Sequence, residues 1–291
     1  MINRKKQQSF TLIELLVVIV IIGILAGVIM ISTSSSIDKA NFAKAQTFSS
    51  TVQEELLSNL VSEWTFDEGN DQTINRVATN NDVKDTWGSN NGIVGGSPQI
   101  KGGDDCILGK CISLNGSTDY ITLNSVTYNL NSGTTFSFWA KKNLEHNGII
   151  FGNSGTSSYK RIIFLTNDRL YFETDTDGDY CDSYPKRDTS WHYYTILVVN
   201  NGAIFYQDGI TTTSDRLVTN SSVTFDKIGA GSTTGYAFNG LLDDVKTYDL
   251  ALSSSQIKQN YIAGLNSMLA NGNISKIEYN ERINELAYEQ K

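Results

Sequence analysis

Glu14 interrupts an otherwise uncharged apolar run, residues 10–31, four positions after Phe10. A lone charge in hydrocarbon costs at least ~2.5–3.5 kcal/mol on insertion scales, so this carboxylate must either snorkel to the membrane interface or meet a cation. Cys106 and Cys111 form a second spacing with chemical meaning. In an oxidising compartment they are expected to close a short disulfide loop, whereas a Cys-x₄-Cys metal pair lacks the second pair or His cluster that zinc needs. Cys181 is left over, and either stays a thiol or enters some other cross-link. Asp175-Thr176-Asp177-Gly178-Asp179 imitates the opening of an EF-hand loop. Lys186 stands where the bidentate Glu of the twelfth position belongs, so an acidic hairpin tip is the better reading. His146 and His192 have no adjacent Ser or Cys nucleophile, which removes triad chemistry. No catalytic residue is assigned.

The elements that must carry these groups fall into four stretches. Residues 1–9 form a polar leader with Arg4, Lys5 and Lys6, whose charge favours the cytoplasmic side. The apolar run would span roughly 33 Å as a helix, the thickness of a bilayer core. Phe42, Ala45, Phe48, Val52, Leu56 and Leu60 continue a helical period, so residues 10–62 are read as one membrane and stalk helix. From 63 to 252 the period shortens to two. Ile162–Leu165 with Leu170–Phe172, and Tyr193–Val199 with Ala203–Tyr206 across Asn201-Gly202, read as hairpins of an antiparallel β-sandwich. Residues 253–291 return to helical spacing: Ile257, Tyr261, Leu265 and Leu269 line one helix, and Ile277, Ile283 and Leu286 a second. The fold class is therefore α+β: a long N-terminal helix, a sandwich and a short C-terminal helical hairpin. A formal charge of −8 without a clustered basic face argues against nucleic-acid binding.

The block Ser9-Phe10-Thr11-Leu12-Ile13-Glu14-Leu15-Leu16-Val17-Val18-Ile19 resembles the type IV prepilin signal of pilins and pseudopilins, with Ser9 where that family usually has Gly. The resemblance implies that a prepilin peptidase cuts between Ser9 and Phe10 and methylates the new amino terminus. The retained helix would then pack with other pilin subunits. In that context Glu14 is expected to pair with the Phe10 ammonium of a neighbouring subunit, which also sets axial register. The protein would sit as a single-pass subunit in the cytoplasmic membrane before assembly, and at the cell surface in a pilus afterwards.

Further blocks resemble the laminin G-like, concanavalin A-like domains of bacterial surface proteins: Trp64–Gly69, Ser113–Tyr120, Phe136–Ala140, Trp191–Tyr194 and Phe238–Tyr248. The resemblance implies a two-sheet jelly roll in which Trp64, Phe66, Trp139 and Trp191 fill the core. It brings Asp67 and Asp243 together, with Asp85 able to join them around a calcium ion; otherwise these aspartates cap turns. The paired acidic residues of glucanases on this fold have no counterpart here. The leading expectation is a minor pilin-like subunit whose head binds an extracellular glycan or protein, through loop residues such as Tyr159, Tyr180 or Tyr236. Two alternatives are a pseudopilin of a type II secretion or DNA-uptake system, and a membrane-anchored lectin that never polymerises.

Overall fold

The computed structural model describes residues 57–68, 75–143, 147–155, 159–167, 169–175, 180–186, 188–200, 202–212, 218–232 and 235–288. The chain divides into two units, Met1–Leu57 and Ser58–Lys291. Expectations for Ser9, Phe10, Glu14, His146 and the Asp177–Asp179 tip lie outside the described residues. Among the described residues no helix is long and apolar enough to cross a membrane.

The second unit is a two-sheet antiparallel sandwich. One sheet is nine-stranded. Its order is β14 (Ile210–Thr211), β13 (Gly202–Gln207), β12 (His192–Val199), β7 (Thr134–Lys142), β16 (Asn239–Tyr248), β5 (Lys110–Asn115), β4 (Gln99–Gly102) and β2 (Arg76–Val77), with β1 (Leu60–Trp64) also paired to β16. The other is seven-stranded. It runs β11 (Tyr180–Ser183), β10 (Leu170–Glu173), β9 (Arg161–Phe164), β8 (Gly148–Gly152), β15 (Ser222–Ile228), β6 (Tyr120–Asn129) and β3 (Ile93–Gly95). The two expected hairpins form as β9–β10 and β12–β13. Aromatic rings from both sheets meet between them: Phe136 packs 5.5 Å from Phe151 and 5.4 Å from Phe225, centroid to centroid. Such offset and edge-on ring pairs add ~0.5–1.5 kcal/mol each to their burial.

The structure corrects the stalk boundary. Leu60, Val61 and Ser62 do not continue a helix but begin β1, with Leu60, Ser62 and Trp64 buried and alternate residues half-exposed. At Leu60 the three-to-four-residue period gives way to a period of two, and pairing with β16 at Tyr248, Thr247 and Val245 decides for the strand.

α1 (Ser254–Asn271) and α2 (Lys276–Tyr288) form the C-terminal hairpin. Ser253 caps α1: its hydroxyl accepts from Gln256 N at 3.3 Å, while Gln256 Oε1 accepts from Ser253 N at 2.8 Å. Gly272, at φ 81°, supplies the left-handed turn that ends the helix. Ile257, Tyr261, Leu265 and Met268 are the buried face, so Met268 takes the position expected of Leu269. On α2 Leu286 is buried but Ile277 is 72% exposed; Ile274, just before the helix, is buried instead.

This hairpin lies on the outer face of the nine-stranded sheet. The Tyr261 ring stacks on Trp139 at 5.6 Å, and Trp139 packs on Tyr193 at 5.3 Å. Trp139 is thus fully buried, but by the helix rather than by the opposite sheet; Trp64 and Phe66 do enter the inter-sheet core. Asn271 Nδ2 donates to Ile107 O at 3.4 Å and Asn273 Nδ2 to Cys106 O, clasping the helix turn to the Cys106–Cys111 loop. Arg282 of α2 donates to Trp191 O at 3.1 Å.

Candidate functional site

The opposite outer face, on the seven-stranded sheet, carries a different chemistry. In β9–β11 the side chains alternate. Ile162, Phe164, Leu170, Phe172 and Cys181 point into the core between the sheets. Directly paired residues share a face, so the register Glu173↔Arg161, Glu173↔Tyr180 and Tyr171↔Asp182 places these five together on the outside. Arg161 Nε donates to Glu173 Oε2 at 2.5 Å, and Arg169 pairs with Asp182. Tyrosines surround both guanidinium groups. Arg161 lies 4.5 Å from the centroid of Tyr159 and 5.4 Å from that of Tyr236. Arg169 lies 5.1 Å from both Tyr171 and Tyr184, and its Nη1 also donates to the Tyr171 hydroxyl at 2.6 Å. Tyr171 and Tyr180 stack at 4.7 Å.

Of the tyrosines expected to bind ligand, Tyr159 and Tyr236 flank one arginine, and Tyr180 joins the other cluster through Tyr171. Sequence reasoning missed Arg161, Arg169, Tyr171, Glu173, Asp182 and Tyr184. Strand alternation carried a signal: in Leu170-Tyr171-Phe172-Glu173 the polar partners of a buried pair must face outward.

The aspartates are arranged otherwise. β16 is bulged between Asp243 and Lys246, with Asp244 at φ 48°. The bulge falls where β16 changes partner, from β5 before it to β1 after it. At that seam Asp243 Oδ2 accepts from Ile107 N at 2.9 Å and Leu108 N at 3.3 Å, while Asp67 Oδ1 accepts from Lys110 N at 2.7 Å. The loop they hold is the one closed by the Cys106–Cys111 disulfide, whose Cα atoms are 5.4 Å apart. Asp67, Asp243, Asp244, Lys246 and Asn260 of α1 line a cavity of about 270 Å³. Burial, reinforced by Asp244, pushes the Asp243 carboxyl well above the usual range, and burial likewise raises Asp67. Lys246 answers with ion pairs to Asp244 at 2.8 Å and Glu63 at 3.2 Å.

Asp85 does not join them. Its Oδ1 accepts from Glu63 N, Trp87 N and Gly88 N, and its Oδ2 from Asn90 N at 3.0 Å, so it holds its own turn against β1. Among the described residues no three His, Cys, Asp or Glu side chains gather as a metal centre. The expected calcium trio of Asp67, Asp85 and Asp243 is therefore not assembled: backbone N–H groups, strong partners for a carboxylate, have claimed oxygens on all three. His192 is likewise structural, with Nδ1 2.5 Å from Asp208 Oδ2 and Nε2 2.9 Å from Asp188 Oδ1.

The model of the Concanavalin A-like lectin/glucanases superfamily matches residues 115–258, and that of the prokaryotic N-terminal methylation motif matches residues 4–30. Among solved structures, the fold is similar to domain 4 of AbnA, a GH43 extracellular arabinanase from Geobacillus stearothermophilus, solved with arabinotriose. The two share 20% identity over 69% of this chain and 97% of that one, with a TM-score of 0.52. The binding domain of Paraclostridial Mosquitocidal Protein 1 matches at 20% identity and TM-score 0.52, covering 72% of this chain and 53% of that one. The botulinum neurotoxin serotype D binding domain matches at 16% and 0.51, covering 72% and 53%. The chain thus spans about half the length of these two toxin domains, and at such identities the likeness is one of fold. No curated protein matches the chain. The chain carries a type IV pilin N-terminal methylation motif followed by a concanavalin A-like, laminin G-type domain.

Proposed function

We propose that this protein is a pilin-like filament subunit whose concanavalin A-like head binds glycan at the cell surface without catalysing a reaction. The observation that carries the reading is the presence of both modules in one chain: the methylation motif at residues 4–30 and the lectin-type domain at 115–258. The motif implies processing by a prepilin peptidase and a membrane-associated, pilin-type protein. Glu14 is the assembly residue in this reading, pairing with the methylated Phe10 amine of the next subunit so that neither charge stays alone in the helix bundle. The absence of catalysis is supported by the outer-face acids, since Glu173 and Asp182 are each held by an arginine and neither is poised as a general acid or nucleophile.

Two measurements test this. Mass spectrometry of the mature protein should find a methylated N-terminal Phe10, and sheared surface filaments should contain the chain. Glu14→Val should leave membrane insertion intact, because it removes a costly charge, yet reduce incorporation into filaments at least tenfold. Normal incorporation of Glu14→Val would refute the assembly role. A chain found in membranes but never in sheared material would make it an anchored lectin instead.

A further inference from the structure

We infer that the outer face of β9–β11 is the saccharide site, and that it takes neutral rather than anionic oligosaccharides. The inference rests on the glycan-binding reading of the head and adds to it a place and a ligand class.

Three observations on the same face carry it. First, its aromatic surface is open where the other sheet's is closed. The nine-stranded sheet buries Trp139 and Tyr193 beneath α1, whereas Tyr184 is 65% exposed and Tyr159 36% exposed. A tyrosine ring offers a flat apolar surface to the C–H face of a sugar and a hydroxyl at its edge, at low entropic cost. Second, the rings are held in place. Tyr171 is stacked on Tyr180 and bonded to Arg169, and Tyr159 and Tyr236 sit on either side of Arg161. A platform already ordered before the ligand arrives loses little freedom on binding.

Third, both arginines of this patch are ion-paired. Arg161 is matched by Glu173 and Arg169 by Asp182, each at ion-pair contact. Among the described residues of β9–β11 and their turns, both arginines already have a carboxylate partner, so an anionic sugar would have to break an ion pair to gain one. A neutral polyol meets a better arrangement. It needs no free charge: Tyr159 and Tyr184 offer exposed ring faces and hydroxyls, while the two ion pairs beneath them hold largely buried side chains. The two pairs recur along adjacent strands, which fits a chain of sugar residues better than a single ring.

The test uses the detergent-solubilised full chain on an array of neutral oligosaccharides, arabinotriose and cellotetraose among them, beside tri-galacturonate and sulfated oligosaccharides of matched length. Neutral members should bind and anionic ones should not. Tyr184→Ala, at an exposed position that cannot unfold the head, and Tyr171→Ala should each weaken neutral binding at least tenfold. Asp182→Asn should do what a merely structural change would not: release the Arg169 charge and raise tri-galacturonate binding at least tenfold. Preference of the unmodified chain for anionic oligosaccharides overturns the ligand class. Undiminished neutral binding by both tyrosine variants overturns the place while leaving a glycan-binding head intact. If no saccharide is bound at all, both the inference and the lectin reading fall, with filament incorporation still to be judged by its own assay.

Discussion

Gly264→Ala separates a docked C-terminal hairpin from one that stands free, because the two states predict opposite signs. In an exposed helix interior, replacing Gly by Ala stabilises by about 1 kcal/mol through helix propensity. Here a Cβ at position 264 would lie 2.2 Å from Trp139 Cζ2, 2.6 Å from Cε2 and 2.8 Å from Nε1. All three belong to one rigid indole, and that indole packs in a cluster with Tyr193 and Tyr261. It cannot swing away as the tip of a lysine would. Relief must come from lifting α1, at the ~1–3 kcal/mol typical of overpacking and towards its upper end for contacts this short. Subtracting the propensity gain leaves a net loss of about 2 kcal/mol. For a unit of this size that lowers the melting temperature by roughly 4–8 °C. The assay is thermal unfolding of the full chain followed by near-ultraviolet circular dichroism. Trp139→Leu should remove the clash, so that Gly264→Ala becomes neutral or stabilising in that background even though Trp139→Leu is itself costly. A melting temperature raised by Gly264→Ala in the unmodified chain would refute the docking.

Three further outcomes follow from the charged groups. Burial alone would lower the His192 pKa, but its bonds to Asp208 and Asp188 reverse that and leave it raised. Stability from this site should therefore be complete below the unfolded histidine pKa and decline as pH climbs through the higher folded value; His192→Gln should flatten that decline in melting curves taken between pH 6 and 9. Burial opposes ionisation of Asp82, yet the Arg76 guanidinium and Thr79 hold its carboxyl at about 2. It should contribute up to ~2 kcal/mol above the unfolded aspartate pKa, lost as pH falls through about 2, and Asp82→Asn should abolish that contribution in acid titrations. Melting should be identical in millimolar calcium and in EGTA, and a calcium-dependent rise cancelled by Asp243→Ala would restore a metal centre at the β16 bulge.

What could be read from the sequence was local chemistry. Asn201-Gly202 and the period-two run Tyr193–Val199 encode a hairpin within a few residues, and β12 does pair with β13 from Tyr194↔Gln207 to Val199↔Gly202. Trp139 shows where such reading stops. Its size and context announced burial, but not which side of β7 it would face, because that depends on a helix more than a hundred residues later in the chain. Leu60 failed for a related reason: one residue satisfied both the last helical step and the first strand step, and only pairing with Tyr248 chose between them.

The carboxylates divide along the same line, and the division bears on where ligands can bind. Asp67 and Asp243 stood out because they sit in recognisable blocks, with Asp85 able to join them, and each of the three is engaged by backbone N–H groups that hold the framework together. Glu173 and Asp182 belong to no conspicuous motif, yet they occupy outward positions of two adjacent strands, β10 and β11, whose inward positions include Leu170, Phe172 and Cys181. Residues that fix a fold leave an imprint near the turns and seams they stabilise. Residues that present a surface need only the right parity on a strand, and any polar or aromatic side chain satisfies parity. The chemistry of the open face therefore emerges only when register aligns Arg161 with Glu173 and Tyr171 with Asp182. On the outer face of the seven-stranded sheet, unlike the seam of aspartates, the rings of Tyr159 and Tyr184 stay exposed.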